Sequence, residues 1–435
     1  MYNIKDFLSS EQSVCRVTEV FQSLIDRCAK DNGGTIEVPA GTYPVGGLEL
    51  CDNIRIILDA GAVLQGSCDL ADYPLHDTVN DYPFDEGQDG VRAIFFARNR
   101  KNITIEGPGK ICGGGKGFDD CGTRRARPRN ILFAGCENVF IRNLTLEESG
   151  FWNQHYLQCR CVRLDGVKVY SLYGTNNDGI DIDSCCDVII RNCRIDSQDD
   201  AICLKSSTFA PCENILVADC ITSTHASHFK LGTESHGGFR NIRAVNLLMR
   251  PSPLAVSTHV GGGDRRGASG ISLGAVDGAF IENIVVENVT MDGVRVPFFL
   301  RHGDNARSYP GMPASGPEFV RGVTLRRITA YGASTQGCYM IGLPDVPMQD
   351  VTLEDCRFEF EGGAPARWAG ISVPDDRKIH CDMESFGTLS AYGVFARYID
   401  GLTLRNVEFS AIAPEARPAL RYEYCSDVTF DGVKG

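Results

Sequence analysis

Apolar and polar positions alternate in short runs along most of the chain, and the runs return in register. The segments NILFAGCENVFIRNLTL (130–146), YLQCRCVRLDGVKV (156–169), IDIDSCCDVIIRNCRI (180–195) and ICLKSSTFAPCENILVADCI (202–221) share one plan. Each gives a strand, a corner rich in Asn, Asp or Gly, then a second and usually a third strand. The unit continues at 229–249, 271–291, 298–330, 339–358, 395–409 and 422–433, with a period of about 22–27 residues where no loop intervenes. A side-chain period of two, a recurring corner and no intervening helical pattern predict an all-β fold: a single-stranded right-handed parallel β-helix of about ten rungs. Its rungs stack about 4.8 Å apart and share one core, because no rung can bury its apolar face alone. A β-propeller would need blades of roughly 40 residues built from antiparallel hairpins, a pattern this chain lacks.

The ends depart from the repeat. Within 13–30, Val17, Phe21, Leu24, Ile25 and Cys28 fall at helical spacing, which predicts an amphipathic N-terminal capping helix over the open end of the solenoid. Gly33 to Tyr43 then read as a turn and a first strand. Segments near 70–90, 113–129, 302–317 and 362–390 are poor in strand pattern and predict loop insertions that wall a groove. The expected organisation is one β-helix domain over 1–435, with the cap at 1–32 and rungs over about 33–435.

Composition changes this picture in three places. Of 435 residues 43% are hydrophobic and 23% charged, and no apolar run nears the 18 or so that a membrane span needs. With 56 acidic against 43 basic residues the net charge is −13, which argues against nucleic acid or an anionic membrane as partner. The start, Met-Tyr-Asn-Ile-Lys-Asp, lacks the basic stretch and apolar region of a secretory signal, so the expected location is cytoplasmic. The 19 cysteines fall into columns. Cys136, Cys159, Cys185, Cys212 and Cys425 stand just before the next strand. Cys193, Cys220 and Cys356 share a column with Leu144, Val167, Val289 and Val407. They read as inward filler in a reducing compartment rather than as disulfides or metal ligands, which need other spacings.

The chemistry gathers in two consecutive rungs, Asn176-Asn177-Asp178-Gly179-Ile180 and Gln198-Asp199-Asp200-Ala201-Ile202. Aligning Ile180 with Ile202 stacks Asp178 on Asp200, with Asp199 beside them. Carboxyls this close cannot all ionise at their ordinary pKa, so at least one is raised. A protonated acid beside an ionised base is the equipment of glycosidic hydrolysis. Asp183 reads as a corner residue bonding turn amides, Asp181 is balanced between the two roles, and calcium is the alternative use of such a cluster.

These motifs resemble glycoside hydrolase family 28, the polygalacturonases and their relatives. Gly-Thr-Asn-Asn-Asp-Gly-Ile-Asp followed one rung later by Gln-Asp-Asp-Ala-Ile carries the likeness. Gly-Gly-Thr-Ile-Glu-Val-Pro-Ala-Gly-Thr-Tyr and the segment Phe151–His155 add to it. The resemblance implies a pectin-lyase-like solenoid, an inverting mechanism without cofactor or metal, and an oligosaccharide substrate. It assigns Asp199 as general acid, with Asp178 and Asp200 holding and deprotonating water. Two departures stand out. Where the family has Gly-His-Gly this chain reads Ala226-Ser227-His228, which puts Ser227 over Asp200 and offsets His228 by one. The family's Arg-Ile-Lys falls on Ser272-Leu273-Gly274, without its basic residues. Lys230, one rung before Ser272, and Arg301, one rung after Gly274, are candidate replacements, with Arg265 and Arg266 behind them. Trp152, His155 and Asn176 are further candidate substrate-binding residues.

The expected activity is therefore exo-acting hydrolysis of a pectin-derived or related oligosaccharide. A β-helix lyase or a fructan-type transferase would use the same carboxylates, and a non-catalytic carbohydrate-binding solenoid would need none of them. Oligomeric state stays open.

Overall fold

The computed structural model describes residues 1–8, 13–76, 91–118, 127–254, 264–307 and 313–435. Parts of three expected insertions, 77–90, 119–126 and 308–312, lie outside the described residues, as does 255–263.

Short strands stack in parallel register through the chain, forming the expected right-handed parallel β-helix. One parallel sheet has 12 strands, from Leu48–Glu49 to Leu420–Glu423, and a 21-stranded sheet supplies the other sides of each rung. The 12 levels exceed the ten or so read from the repeat. The extra levels begin at Leu48–Glu49 and Ala93–Arg98, where the insertion between them hides the period. Register follows the alternation: Ile180 pairs with Ile202, Ile202 with Phe229 and Phe229 with Ile271.

Corners are made by residues that tolerate the left-handed conformation. Asn53, Asn102 and Asn138 have φ of 57°, 58° and 57°, a region Asn visits at low cost because its short amide bonds locally. Their amides stack as well, Asn138 Nδ2 donating to Asn102 Oδ1 at 3.0 Å and Asn102 Nδ2 to Asn53 Oδ1 at 2.6 Å.

The cysteine columns are inward, and none of the described cysteines forms a disulfide. Cys136, Cys159, Cys185 and Cys212 are buried. Their thiols also donate to carbonyls of the preceding rung, as Cys185 Sγ does to Tyr156 O at 3.2 Å and Cys159 Sγ to Phe133 O at 3.4 Å. A valine would fill the space without that bond. Cys425, in the last rung, is only half-buried.

Helix α1, Val14–Lys30, closes the N-terminal end. Ser13 caps it through its hydroxyl, which accepts from Arg16 N, and Val17, Val20, Phe21, Leu24, Ile25 and Cys28 are buried beneath it. The insertion after Gly362 folds back over the 12-stranded sheet. Its Val373, Cys381, Met383, Phe386 and Leu389 pack on Phe299, Tyr339 and Phe395 of that sheet. This second apolar layer carries the short helix α2, Met383–Phe386, across the face where the acids stand.

Candidate active site

The acids stand in bends just ahead of inward strands. Gly179 N donates to Asp200 O at 2.8 Å, which locks the two acid bends together. Gly179 has no room for a side chain there: an added Cβ would meet Ala201 O at 2.6 Å. Asp200 is fixed further by Ser227 N, which donates to Oδ1 at 3.0 Å, and its own N–H donates to Asp199 Oδ1 at 2.9 Å. Asp178 and Asp200 each place an oxygen within 4.8 Å of the other and of Cys203 Sγ. Asp178 and Asp200 are buried, and Asp199 is half-buried.

Two lysines hold this charge. Lys230 Nζ donates to Asp200 Oδ2 at 2.7 Å. Lys205 Nζ lies 3.0 Å from Glu234 Oε2, 3.5 Å from Asp181 Oδ1 and 3.8 Å from Asp178 Oδ2. Burial pushes Asp178 well above the usual carboxyl range, with repulsion from Asp181 and Asp199 adding to it. Burial raises Asp181 to about 8 against the pull of Lys205. Asp199 is pushed up to about 6 by burial and by Asp200, while Lys230 works in the other direction. Burial alone would lower both lysines, but the anionic groups around them outweigh it and raise both. Burial opposes ionisation of Glu234 too, yet Lys205 and Arg307 hold it below its ordinary value. With an ammonium already 2.7 Å from Asp200, the three-residue cluster of Asp178, Asp200 and Cys203 is a poor fit for a divalent cation.

A cavity of about 90 Å³ opens over Asp199, Asp200 and Lys230, and its opposite wall is His380, Cys381, Asp382 and Met383 from the insertion. Asp382 is the N-cap of α2, accepting from Ser385 N at 2.7 Å, and its other oxygen lies 2.7 Å from His380 Nδ1. The segment is keyed into the sheet at Gly274. A Cβ there would come 2.5 Å from Cys381 Sγ, so the thiol occupies the space a side chain at 274 would need.

Several sequence candidates stand elsewhere. His228 is fully buried, its Nδ1 2.9 Å from Thr222 Oγ1, and it is not among the residues lining this cavity. The one-residue offset has turned its ring away. Arg301 is also buried and serves as a staple. Its Nη2 donates to Asp376 O at 2.9 Å and Arg377 O at 3.0 Å, and its guanidinium lies 5.1 Å from the Phe386 ring. It lines a separate cavity of about 290 Å³ with Asp376 and Arg377. Trp152 is no open platform: it is 5% exposed, with Lys205 Nζ 4.3 Å from its ring centroid and Phe151 stacked at 5.1 Å. His155 lies edge-on behind it at 5.0 Å, with Nε2 3.4 Å from Asp183. Asn176 is half-buried at the bend before Asp178, and its carbonyl accepts from Trp152 N at 3.0 Å. Arg266 is bound to Asp264 and Glu361, and Arg265 donates to Pro253 O. Asp183 is a corner residue as expected, accepting from Ser207 N and Oγ at 2.9 and 2.7 Å.

Sequence reasoning missed Lys205, Glu234 and His380. Lys205 had a signal. Asp183 and Lys205 share a column, and the run from Asp178 to Lys205 holds more carboxylates than cations. His380 had only its place in an insertion expected to wall the groove.

The family model of glycosyl hydrolases family 28 matches residues 28–230, a stretch that contains all three acids and Lys230. A probable polygalacturonase of Vitis vinifera is 25% identical over 365 residues, 78% of this chain and 70% of that protein. A hyperthermoactive exopolygalacturonase from Thermotoga maritima superposes with a TM-score of 0.69 at 20% identity, covering 96% of this chain and 93% of that one. For the family 28 exopolygalacturonase of Yersinia enterocolitica the TM-score is 0.67 at 17% identity, with 98% and 78% covered. At these identities the structural likeness speaks for the fold. The chain is a polygalacturonase-like protein whose residues 28–230 match glycoside hydrolase family 28, and its relatives indicate glycoside hydrolase activity.

Proposed function

We propose that this enzyme removes a terminal sugar from a pectin-derived or related oligosaccharide by single-displacement, inverting hydrolysis. Asp199 donates its proton to the glycosidic oxygen as the C–O bond breaks. Water held between Asp178 and Asp200 attacks the anomeric carbon from the opposite face and gives up its proton to that pair. The observation that carries this reading is the split among neighbouring carboxyls: Asp199 is raised to about 6 while Asp200 beside it is ion-paired to Lys230 at 2.7 Å. A carboxyl whose proton is held more tightly by burial, next to one bound to an ammonium, is what acid–base cleavage requires. Oxygens within 4.8 Å of each other on Asp178 and Asp200 suit one water bonded to both. Support for end-trimming comes from the 380–383 wall, which bounds the cavity on one side.

A lyase using a lysine as base would need that lysine's pKa lowered, and both lysines here are raised. The test is hydrolysis of a panel of pectic and rhamnogalacturonan oligosaccharides with the product anomer followed by NMR. Inverted product is expected, with kcat reduced about 10²–10⁴-fold in Asp199→Asn. Retained configuration, an unsaturated product or full activity of the variant would refute the mechanism.

A further inference from the structure

The acid cavity has its own charge balance, and that balance bears on the sugar it takes. Among the described residues lining it, Lys230 and His380 are the basic groups, and each already has an acidic partner. Lys230 Nζ is 2.7 Å from Asp200 Oδ2, and His380 Nδ1 is 2.7 Å from Asp382 Oδ2. Lys205, just beneath, is shared among Glu234, Asp181 and Asp178. Arg307 is bound to Asp277 at 2.5 Å and lies 3.6 Å from Glu234 Oε1, and Arg129 lies 4.9 Å from the Phe151 ring and 5.5 Å from that of Trp152. Counting the groups in contact among the described residues, six carboxylates (Asp178, Asp181, Asp199, Asp200, Glu234 and Asp277) face two lysines and Arg307. Even with the raised Asp178 and Asp181 protonated, four carboxylates face three cations, and among these described groups no positive charge is left over to receive another anion. The rest of the lining is small or apolar, with Ala226, Ala268, Phe299 and Met383 beside Ser269 and Ser272.

Resting on the glycosidase reading above, we propose that the sugar unit seated between Asp199, Asp200 and the 380–383 wall is uncharged. It is a neutral or deoxy glycosyl residue, not a uronate. A carboxylate brought into this cavity would sit among like charges in a poorly hydrated space, where repulsion is weakly screened. Its own hydration would be lost without an ion pair in return. A neutral sugar escapes both costs, and its hydroxyls can bond the carboxylates while a deoxy face rests on the alanines and Phe299.

The experiment uses the full chain carrying Asp199→Asn, so that ligand is bound but not turned over. Calorimetry compares trigalacturonate with its carboxyl-reduced counterpart, which has the same linkages and hydroxyl arrangement but no charge. The substitution itself removes a negative charge, so any bias it adds favours the uronate. The reduced trimer should bind at least about tenfold more tightly. The affinity of the charged trimer should rise with added salt as repulsion is screened. Equal or tighter binding of trigalacturonate overturns the proposal, as does binding of neither trimer. The two readings fail separately. Inverted product from wild-type enzyme with equal kcat/KM on both trimers keeps the hydrolase and removes the neutral-sugar site. Preferential binding of the reduced trimer without any turnover by wild type does the reverse.

Discussion

At the scale of single residues, the site works through unequal treatment of neighbouring carboxyls. As a general acid Asp199 must be protonated, so kcat should hold below about pH 6 and fall as pH rises through the value set by burial and Asp200. Lys230 opposes that rise, because its ammonium favours the ionised form of Asp199. Lys230→Met should therefore move the alkaline limb of the kcat profile to higher pH. It also leaves Asp200 buried without its 2.7 Å partner, so maximal kcat should drop in the same variant. A limb that stays in place or moves to lower pH would show that Asp199 is not the group titrating. The residue scale is also where sequence reading failed most. The positions of Asp178, Asp199 and Asp200 follow from an alternation that fixes register to one residue. The surroundings of Trp152 and His155 depend on Lys205 and Arg129, which come in from other rungs and bury them from the side.

At the scale of elements, the insertion after Gly362 is the feature that most separates this site from a bare β-helix groove. Its existence was legible as a break in the strand pattern, and its partner was not. Cys381 finds Gly274 from more than a hundred residues away, and nothing local to either position marks the match. The fit is close, with 2.5 Å between Cys381 Sγ and a Cβ built at 274, a separation that forces movement. Gly274→Ala should lift the 380–383 wall, raising KM more than it lowers kcat, since the acids themselves stand in bends of the β-helix and not on the insertion. Shortening the other side should relieve the clash. The double variant Gly274→Ala with Cys381→Ala should recover much of the lost KM, with a coupling of about 1–2 kcal/mol in the double-mutant cycle. Additive effects would mean that the thiol and the glycine do not share this space. The same reasoning explains why Arg301 left the site. Its guanidinium is committed to the carbonyls of Asp376 and Arg377, which hold the insertion down at its other end.

At the scale of the whole molecule, the solenoid is nearly one-dimensional: each rung contacts its neighbours, and an open end is a liability. Helix α1 meets that liability in two ways. Its apolar face covers the core, with Phe21 meeting Phe95 edge-on at 6.2 Å. Its polar face completes the first strand of the 12-stranded sheet, since Gln22 Nε2 donates to Glu49 O at 3.1 Å and Gln22 Oε1 accepts from Glu49 N at 3.0 Å. One glutamine thus supplies both hydrogen bonds that a further rung would have made. Helical spacing in the sequence disclosed the apolar role, whereas the glutamine's role required knowing which strand edge it faces. The acid rungs begin four strands farther along the same sheet. Phe21→Ala should therefore cost about 3–5 kcal/mol of stability, and Gln22→Ala about 0.5–1.5 kcal/mol by removing two hydrogen bonds to the exposed backbone of Glu49. Neither should change kcat at temperatures where the fold persists, because energy lost at the cap is not transmitted through four intact rungs. Thermal unfolding followed alongside initial rates separates the two effects. A lowered midpoint with unchanged kcat is the expected result, and a parallel fall in kcat at low temperature would show that the cap and the acids are coupled along the solenoid.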